Sequence, residues 1–134
     1  MDSFFYCVLK DDIFRCPQLE KLSLKRSNMA QAVLNCPLLR DLDIGSCHKL
    51  SDAAIRSAAT ACPQLESLDM SNCSCVSDET LREIAHTCAN LHILNASYCP
   101  NISLEVCFYF LHVLILGYSA ILTYPYLMCL LAFL

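Results

Sequence analysis

The sequence predicts an α/β fold: about three to four strand–helix units with parallel strands, stacked as a solenoid and followed by a hydrophobic helical tail. Three observations predict it. First, one block repeats without a gap: "CPLLRDLDIGSCHKLSDAAIRSAATA" from Cys36 is followed by "CPQLESLDMSNCSCVSDETLREIAHT" from Cys62. Second, within each block the apolar spacing passes from period two to period three-to-four, a strand followed by a helix. Third, every formal charge lies between Asp2 and Glu105, and the stretch from Val106 to Leu134 carries none.

The organisation reads as an N-terminal segment over 1–15, repeats over 16–105 and a tail over 106–134. The opening stretch "MDSFFYCVLKDD" carries no repeat signal. It has an acid at Asp2, no basic n-region and too short an apolar run for a secretory signal. Cysteines are therefore expected to be reduced, and their odd count of 11 argues against a closed disulfide framework. A first, shorter unit begins at Cys16, where Leu19, Leu22 and Leu24 set the frame, and the next unit opens early, at Cys36. The frame continues through Leu39, Leu42, Ile44, then Leu65, Leu68, Met70, then Leu91, Leu94, Ala96. Strands are expected near 21–25, 41–45, 67–71 and 93–97, each with one buried face.

Ser51-Asp52 and Ser77-Asp78 supply helix N-caps. Ile55, Ala58, Ala59 and Leu81, Ile84, Ala85 then give one apolar helix face, so helices are expected over 52–61 and 78–88. Asp52 with Arg56, and Asp78 with Arg82, form i, i+4 pairs on the outer side. Pro37 and Pro63 fit the return from helix to strand. A unit of this size cannot bury its own apolar face, but stacked units can.

Two cysteine columns run with the repeat: Cys36, Cys62, Cys88 and Cys47, Cys73, Cys99. A cysteine at a fixed place in each coil reads as a small buried hydrophobe, packed and reduced. Cys73 with Cys75, and His86 with Cys88, are the nearest approach to a metal set, but no pair has zinc-finger spacing. No metal and no cofactor are expected. Asp43 and Asp69 fall on neighbouring strands, where paired carboxylates could do acid–base work. The solvated strand face is the preferred reading, because nothing marks a pocket that would shift them. No G-x-S-x-G, phosphate-binding glycine loop or H-E-x-x-H occurs, so no enzyme is expected. A net charge of -4 leaves no basic footprint for nucleic acid.

The pattern C-P-x-L-x-x-L-x-[IM]-x-x-C-x-x-[LV]-S-D-x-x-[IL] resembles the cysteine-containing leucine-rich repeats of F-box/LRR-repeat proteins. "CPQLEKLSLKRSNMAQAVLNCPLLRDLDIGSCHKLSDAAI", with its short first unit, is closest to the plant members. The resemblance covers 16–105, about two-thirds of the chain. It implies a non-catalytic protein-binding scaffold: the partial substrate-recognition region of an SCF-type ubiquitin ligase receptor, acting in ubiquitin-dependent protein catabolism. The cytoplasm or nucleus would be its place. In that family an F-box binds a Skp1-type adaptor. The stretch before Cys16 is too short for one, so this chain alone is not expected to recruit the adaptor.

The repeat frame places Glu20, Lys21, Ser23, Lys25, Arg26, Arg40, Asp41, Asp43, Glu66, Ser67, Asp69, Asn72, His92, Asn95 and Tyr98 on the concave face. The candidate protein-binding set within it is Lys21, Arg40, Asp41, Asp43, Glu66, Asp69, Asn72, His92, Asn95 and Tyr98. Glu20, Arg40 and Glu66 alternate in sign along one column, where exposed ion pairs add little. Tyr98 is the one large aromatic in the set and the best anchor.

After Glu105 the frame breaks: Leu104 stands where aspartate is due, and Cys107 matches weakly. "VCFYFLHVLILGYSAILTYPYLMCLLAFL" is long enough to cross a bilayer as a helix, at least up to Pro125. No basic flank fixes an orientation. Three readings stay open: a membrane anchor, a cover packed on the open end of the stack, or translated intron, to which the GT of the Val106 codon points. The last is preferred for origin, while the tail is still expected to seek membranes.

Overall fold

The structure is a computed structural model, and it describes residues 8–10, 13–103, 105–106 and 121–123. It is α/β with a parallel sheet. Strands β1 (Val8–Lys10), β2 (Ile13–Arg15), β3 (Lys21–Ser23), β4 (Val33–Asn35) and β5 (Asp41–Asp43) precede helix α1 (Asp52–Thr60). Then come β6 (Ser67–Asp69), helix α2 (Asp78–Thr87), β7 (Ile93–Asn95) and β8 (Ile121–Thr123). The larger sheet has five strands in the order β3-β5-β6-β7-β8, every pair parallel. Its register is that of the repeat: Leu22, Leu42, Leu68 and Leu94 are successive partners.

Each strand is short because only its central residue faces inward; in β5 and β6 Leu42 and Leu68 are fully buried between half-exposed neighbours. The core continues on both sides of the strands. Leu39, Ile44, Leu65, Met70 and Leu91 are buried before or after them, and Ile55, Ala58, Ala59, Leu81 and Ile84 close it from the helices. Cys36, Cys62 and Cys88, and Cys47, Cys73 and Cys99, are buried at 0 to 4% exposure, as the repeat required. Helices α1 and α2 pack side by side.

The first, shorter unit has no helix. Where α1 and α2 lie in later units, it places β4, which joins a second sheet of order β1-β2-β4. Cys36 follows Cys16 too soon to leave room between strands for a capped helix, and an extended segment covers the distance. Strand β2 pairs parallel with β4, Ile13 to Val33 and Arg15 to Asn35, the same offset that separates Cys16 from Cys36. The repeat therefore reaches back to Ile13, inside a segment whose sequence showed no repeat signal. The match is Ile13-Phe14 to Val33-Leu34 ahead of Cys16 and Cys36.

Four residues, Arg26, Ser46, Asn72 and Tyr98, adopt left-handed backbone with φ between 54° and 61°. They occupy one equivalent position, the turn just after each strand. None is glycine, and β-carbon crowding makes such a conformation costly for Arg, Ser or Tyr. Three are held by a hydrogen bond to the next unit: Arg26 N to Gly45 O at 3.0 Å, Ser46 N to Ser71 O at 2.8 Å, Asn72 N to Ser97 O at 2.8 Å. Tyr98→Gly is expected to be more stable than Tyr98→Ala by about 1 kcal/mol, since both lose the ring but only alanine keeps the clash. Urea unfolding of the two variants measures the difference.

The tail departs from the expected helix. Glu105 and Val106 are helical, but Ile121–Thr123 is a strand, parallel to β7 with Ile93 opposite Ile121. The last repeat strand has an open edge of unpaired backbone groups, and a β-branched segment such as Ile-Leu-Thr can satisfy them. The expected span over the rest of 107–134, like the frame break at Leu104 and Cys107, lies outside the described residues. Among the described residues no helix is long and apolar enough to cross a membrane.

Candidate functional site

The parallel register brings the candidate binding residues to one exposed face of the larger sheet. Lys21, Asp41, Ser67 and Ile93 form one row across β3, β5, β6 and β7; Ser23, Asp43, Asp69 and Asn95 form the next. Glu20, Arg40, Glu66 and His92 enter the strands beside them, each linked backbone to backbone: Arg40 N to Glu20 O, Glu66 N to Arg40 O, His92 N to Glu66 O, all at 2.8 Å. The alternating column yields one ion pair, Arg40 to Glu66 at 3.4 Å, with both side chains largely exposed. Screening by water makes such a pair worth little. Asn72 and Tyr98 stand on the turns at the strand exits, and Tyr98 is 72% exposed. Ile93, at the start of β7, is also exposed, at 47%. The repeat frame alone did not single out Ile93.

The acidic row has a structural duty that the sequence reading missed. Asp43 Oδ1 accepts Gly45 N at 3.0 Å. Asp69 Oδ1 accepts Ser71 N at 2.9 Å and Ser71 Oγ at 2.6 Å, and Asn95 accepts the same two groups of Ser97. Asn95 Nδ2 then donates to Asp69 Oδ2 at 3.3 Å. These side chains hold the turn ahead of each left-handed residue, in the manner of Asx turns. Gly45 makes room here: a β-carbon would lie 3.2 Å from the carboxylates of both Asp43 and Asp69, a tight contact that those side chains would have to relieve. Asp43 and Asp69 are thus half-buried residues that also form turns.

The cysteines do more than fill space. Cys47 Sγ donates to Leu24 O at 2.9 Å, Cys73 Sγ to Ile44 O at 3.2 Å, and Cys99 Sγ to Met70 O at 3.2 Å. Each thiol satisfies a buried carbonyl of the preceding unit, a task for which Val or Ala has no donor. Burial pushes Cys62 up to about 12, helped by the neighbouring Cys36 and Cys88 thiols. It pushes Cys73 and Cys88 to about 11 and raises Cys36 and Cys99 as well. Because the thiolate is the nucleophile, these thiols are inert. Maleimide at neutral pH should label the partly exposed Cys75 at least about a hundredfold faster than Cys62, Cys73, Cys88 or Cys99. Mass spectrometry of the native protein reads this, and rapid labelling of Cys73 would contradict the packing. Cys16 is an exception to the expectation of reduced cysteines, for it is disulfide-bonded, while both repeat columns and Cys75 are free thiols. Among the described residues no three His, Cys, Asp or Glu side chains are grouped to hold a metal ion.

The Ser-Asp dipeptides also depart from the reading as plain N-caps. Ser51 does cap α1, its Oγ accepting Ala54 N at 3.1 Å. Ser77 makes no such side-chain bond at the start of α2. Its N and Oγ donate to Asp52 of the preceding unit at 2.9 and 2.6 Å, and the fully buried Thr80 adds its hydroxyl at 2.6 Å. The link recurs one unit on: Ser103 N donates to Asp78 Oδ1 at 2.8 Å and Ser103 Oγ to Asp78 Oδ2 at 2.5 Å. Asp78 is thereby turned toward Ser103, and the expected Asp78–Arg82 pair is absent among the described residues. The Asp52–Arg56 pair is made at 3.5 Å, and Arg56 also reaches Glu79 at 3.1 Å and Glu83 at 3.6 Å across the helix pair. Burial alone would raise the Asp52 carboxyl. The Ser77 and Thr80 hydroxyls, the Ser77 N–H and Arg56 outweigh it, and its pKa is lowered. The equal spacing from Asp52 to Ser77 and from Asp78 to Ser103 was the available signal.

No protein-family model matches the chain.

Proposed function

We propose that the chain is a leucine-rich-repeat solenoid and the partial substrate-recognition region of an SCF-type ubiquitin ligase receptor, binding a protein through its exposed sheet face. One observation carries the reading: in-register parallel strands put Lys21, Arg40, Asp41, Asp43, Glu66, Asp69, His92 and Asn95 on one face, with exposed Ile93 and Tyr98 at its end. Because hydrogen bonds within the fold already engage Asp43, Asp69 and Asn95, the side chains left for a partner are Lys21, Asp41, His92, Ile93 and Tyr98, together with Arg40 and Glu66, whose exposed ion pair a partner can replace. An aromatic anchor with a charged surround is a common plan of protein interfaces. The partner would be a protein marked for degradation in the cytoplasm or nucleus. The pairing of Ile121–Thr123 with β7 favours the tail as a cover for the sheet edge over the tail as a membrane anchor.

The test is affinity capture with the full chain, quantified for proteins that accumulate when the proteasome is inhibited. Tyr98→Ala and Ile93→Asp should each reduce capture of such a protein about tenfold or more. Arg82→Glu, on the exposed side of α2, should leave capture unchanged. Equal capture by all three variants would remove the sheet face from consideration.

A further inference from the structure

The N-terminal hairpin of β1 and β2 ends on a covalent bond that the repeat does not explain. Cys16 is disulfide-bonded, while every other described cysteine is a free thiol. We propose that Cys16 is joined to Cys7 across this hairpin, and that the bond is a redox-operated clasp: a small-molecule thiol opens it and frees β1 from the edge of β2.

The pairing follows from the register. Val8 lies opposite Arg15, Leu9 opposite Phe14 and Lys10 opposite Ile13. One step further along the same antiparallel ladder sets the position of Cys7 against that of Cys16. Opposed positions in such a ladder have Cα atoms about 4.5–5.5 Å apart, inside the span of about 4.4–6.8 Å that a disulfide requires. The sequence leaves two other partners for Cys16, namely Cys107 and Cys129. Cys107 follows Val106, whose N–H donates to Ser103 Oγ at 3.3 Å, and Ser103 is tied to Asp78 in the unit that leads into β7. Cys16 stands ahead of β3, three strands from β7 in the sheet order, a distance of roughly 14 Å. No disulfide reaches that far. Cys129 comes after β8, a further strand away, and only a fully stretched chain would close that gap.

The bond acts locally. In the order β1-β2-β4, strand β1 borders β2 alone, over three residues. So short an edge strand has little stability of its own. A disulfide closing a ring of about ten residues removes about a hundredfold in chain freedom, which favours the closed hairpin by that factor. Cys16 itself is anchored without the bond: it is buried, its N–H donates to Asn35 O at 3.4 Å, and its carbonyl accepts Leu19 N at 3.2 Å. Strand β2 is also paired with β4. When β1 is released, β2 therefore keeps its place and presents an edge of unpaired N–H and C=O groups, open to a strand from a second copy.

The exchange balances. Because Cys16 is buried, the attacking thiolate takes the Cys7 sulfur; the S–S bond breaks, and Cys16 leaves as a thiolate that takes up a proton. A second thiolate then attacks the reductant's sulfur in the mixed disulfide, and Cys7 leaves and is protonated in turn. Two electrons pass to the protein, and two molecules of thiol become one disulfide.

The experiment uses the full chain, in mild detergent if required, alkylated without reductant and digested with trypsin. Mass spectrometry should find residues 1–10 joined to residues 16–21, a link that vanishes after treatment with glutathione. Hydrogen exchange on the same protein should quicken about a hundredfold at Val8–Lys10 on reduction and stay unchanged at Asp41–Asp43 and Ser67–Asp69. Cys7→Ser should exchange at the fast rate with or without glutathione, and unchanged exchange in β5 and β6 shows that the variant is folded. A link from Cys16 to Cys107 or Cys129, or no link at all, would overturn the pairing. A link that survives glutathione, or exchange in β1 that ignores it, would overturn the clasp. Equal quickening in β5 and β6 would overturn it too, as the mark of a bond that holds the whole fold.

Discussion

Replacing Asp52 by alanine is expected to destabilise the protein by about 3 kcal/mol, at roughly 1.5–3 kcal/mol for a hydrogen bond to a charged acceptor, summed with less than full additivity. The carboxylate accepts from Ser77 N, Ser77 Oγ and Thr80 Oγ1, and Thr80 is fully buried, out of contact with bulk solvent. Arg56 would also lose its nearest partner on its own helix. The pH dependence supplies an independent check. The folded-state pKa of Asp52 is lowered, so its contribution is fully present above the unfolded aspartate value of about 3.9. It is lost as pH falls through the lower folded value. Asp52→Asn should therefore flatten the acid limb of stability, while costing less than alanine at neutral pH. Urea midpoints between about pH 2 and 7 give both numbers. An unchanged midpoint in Asp52→Ala would mean that the link between units carries no weight.

Deleting residues 107–134 is the second large effect. The truncated protein loses β8 and with it the hydrogen bonds along β7, which at roughly 1 kcal/mol apiece amounts to about 2–4 kcal/mol. It also gains an open parallel edge at Ile93–Asn95, a template for a second copy. The expected outcome is a lower denaturation midpoint together with concentration-dependent association in sedimentation velocity. A tail that served only as a membrane anchor would give a different result: unchanged stability and a better-behaved monomer.

The units between Cys36 and Ile102 were legible in the sequence because a buried position in one unit is buried in the next, so Leu42, Leu68 and Leu94 declare themselves by their spacing. Helices α1 and α2 were legible through their apolar faces and the Ser-Asp that precedes each. The contacts between units were not. A hydroxyl such as Ser77 can cap its own helix or reach back a whole unit to Asp52, and both choices are written with the same letters. The turn aspartates Asp43 and Asp69 read as solvent-facing groups because period two assigns a side chain to a face and says nothing about its bonds. Strand β2 was missed for want of leucines, although Ile13 and Phe14 precede Cys16 as Val33 and Leu34 precede Cys36. Strand β8 was not anticipated, because hydropathy describes a segment's dislike of water and leaves open whether lipid or a sheet edge removes it.

The link from Asp52 to Ser77 and from Asp78 to Ser103 has a direction. The block that opens at Cys62 offers a donor behind, Ser77, and an acceptor ahead, Asp78, so a copy of that block arrives with both halves of its own connection. Such a chain can lengthen by gene duplication in steps of one whole block, whereas a shorter insertion would separate each aspartate from its serine. The internal likeness of the two blocks that open at Cys36 and Cys62 is what that mode of inheritance leaves behind.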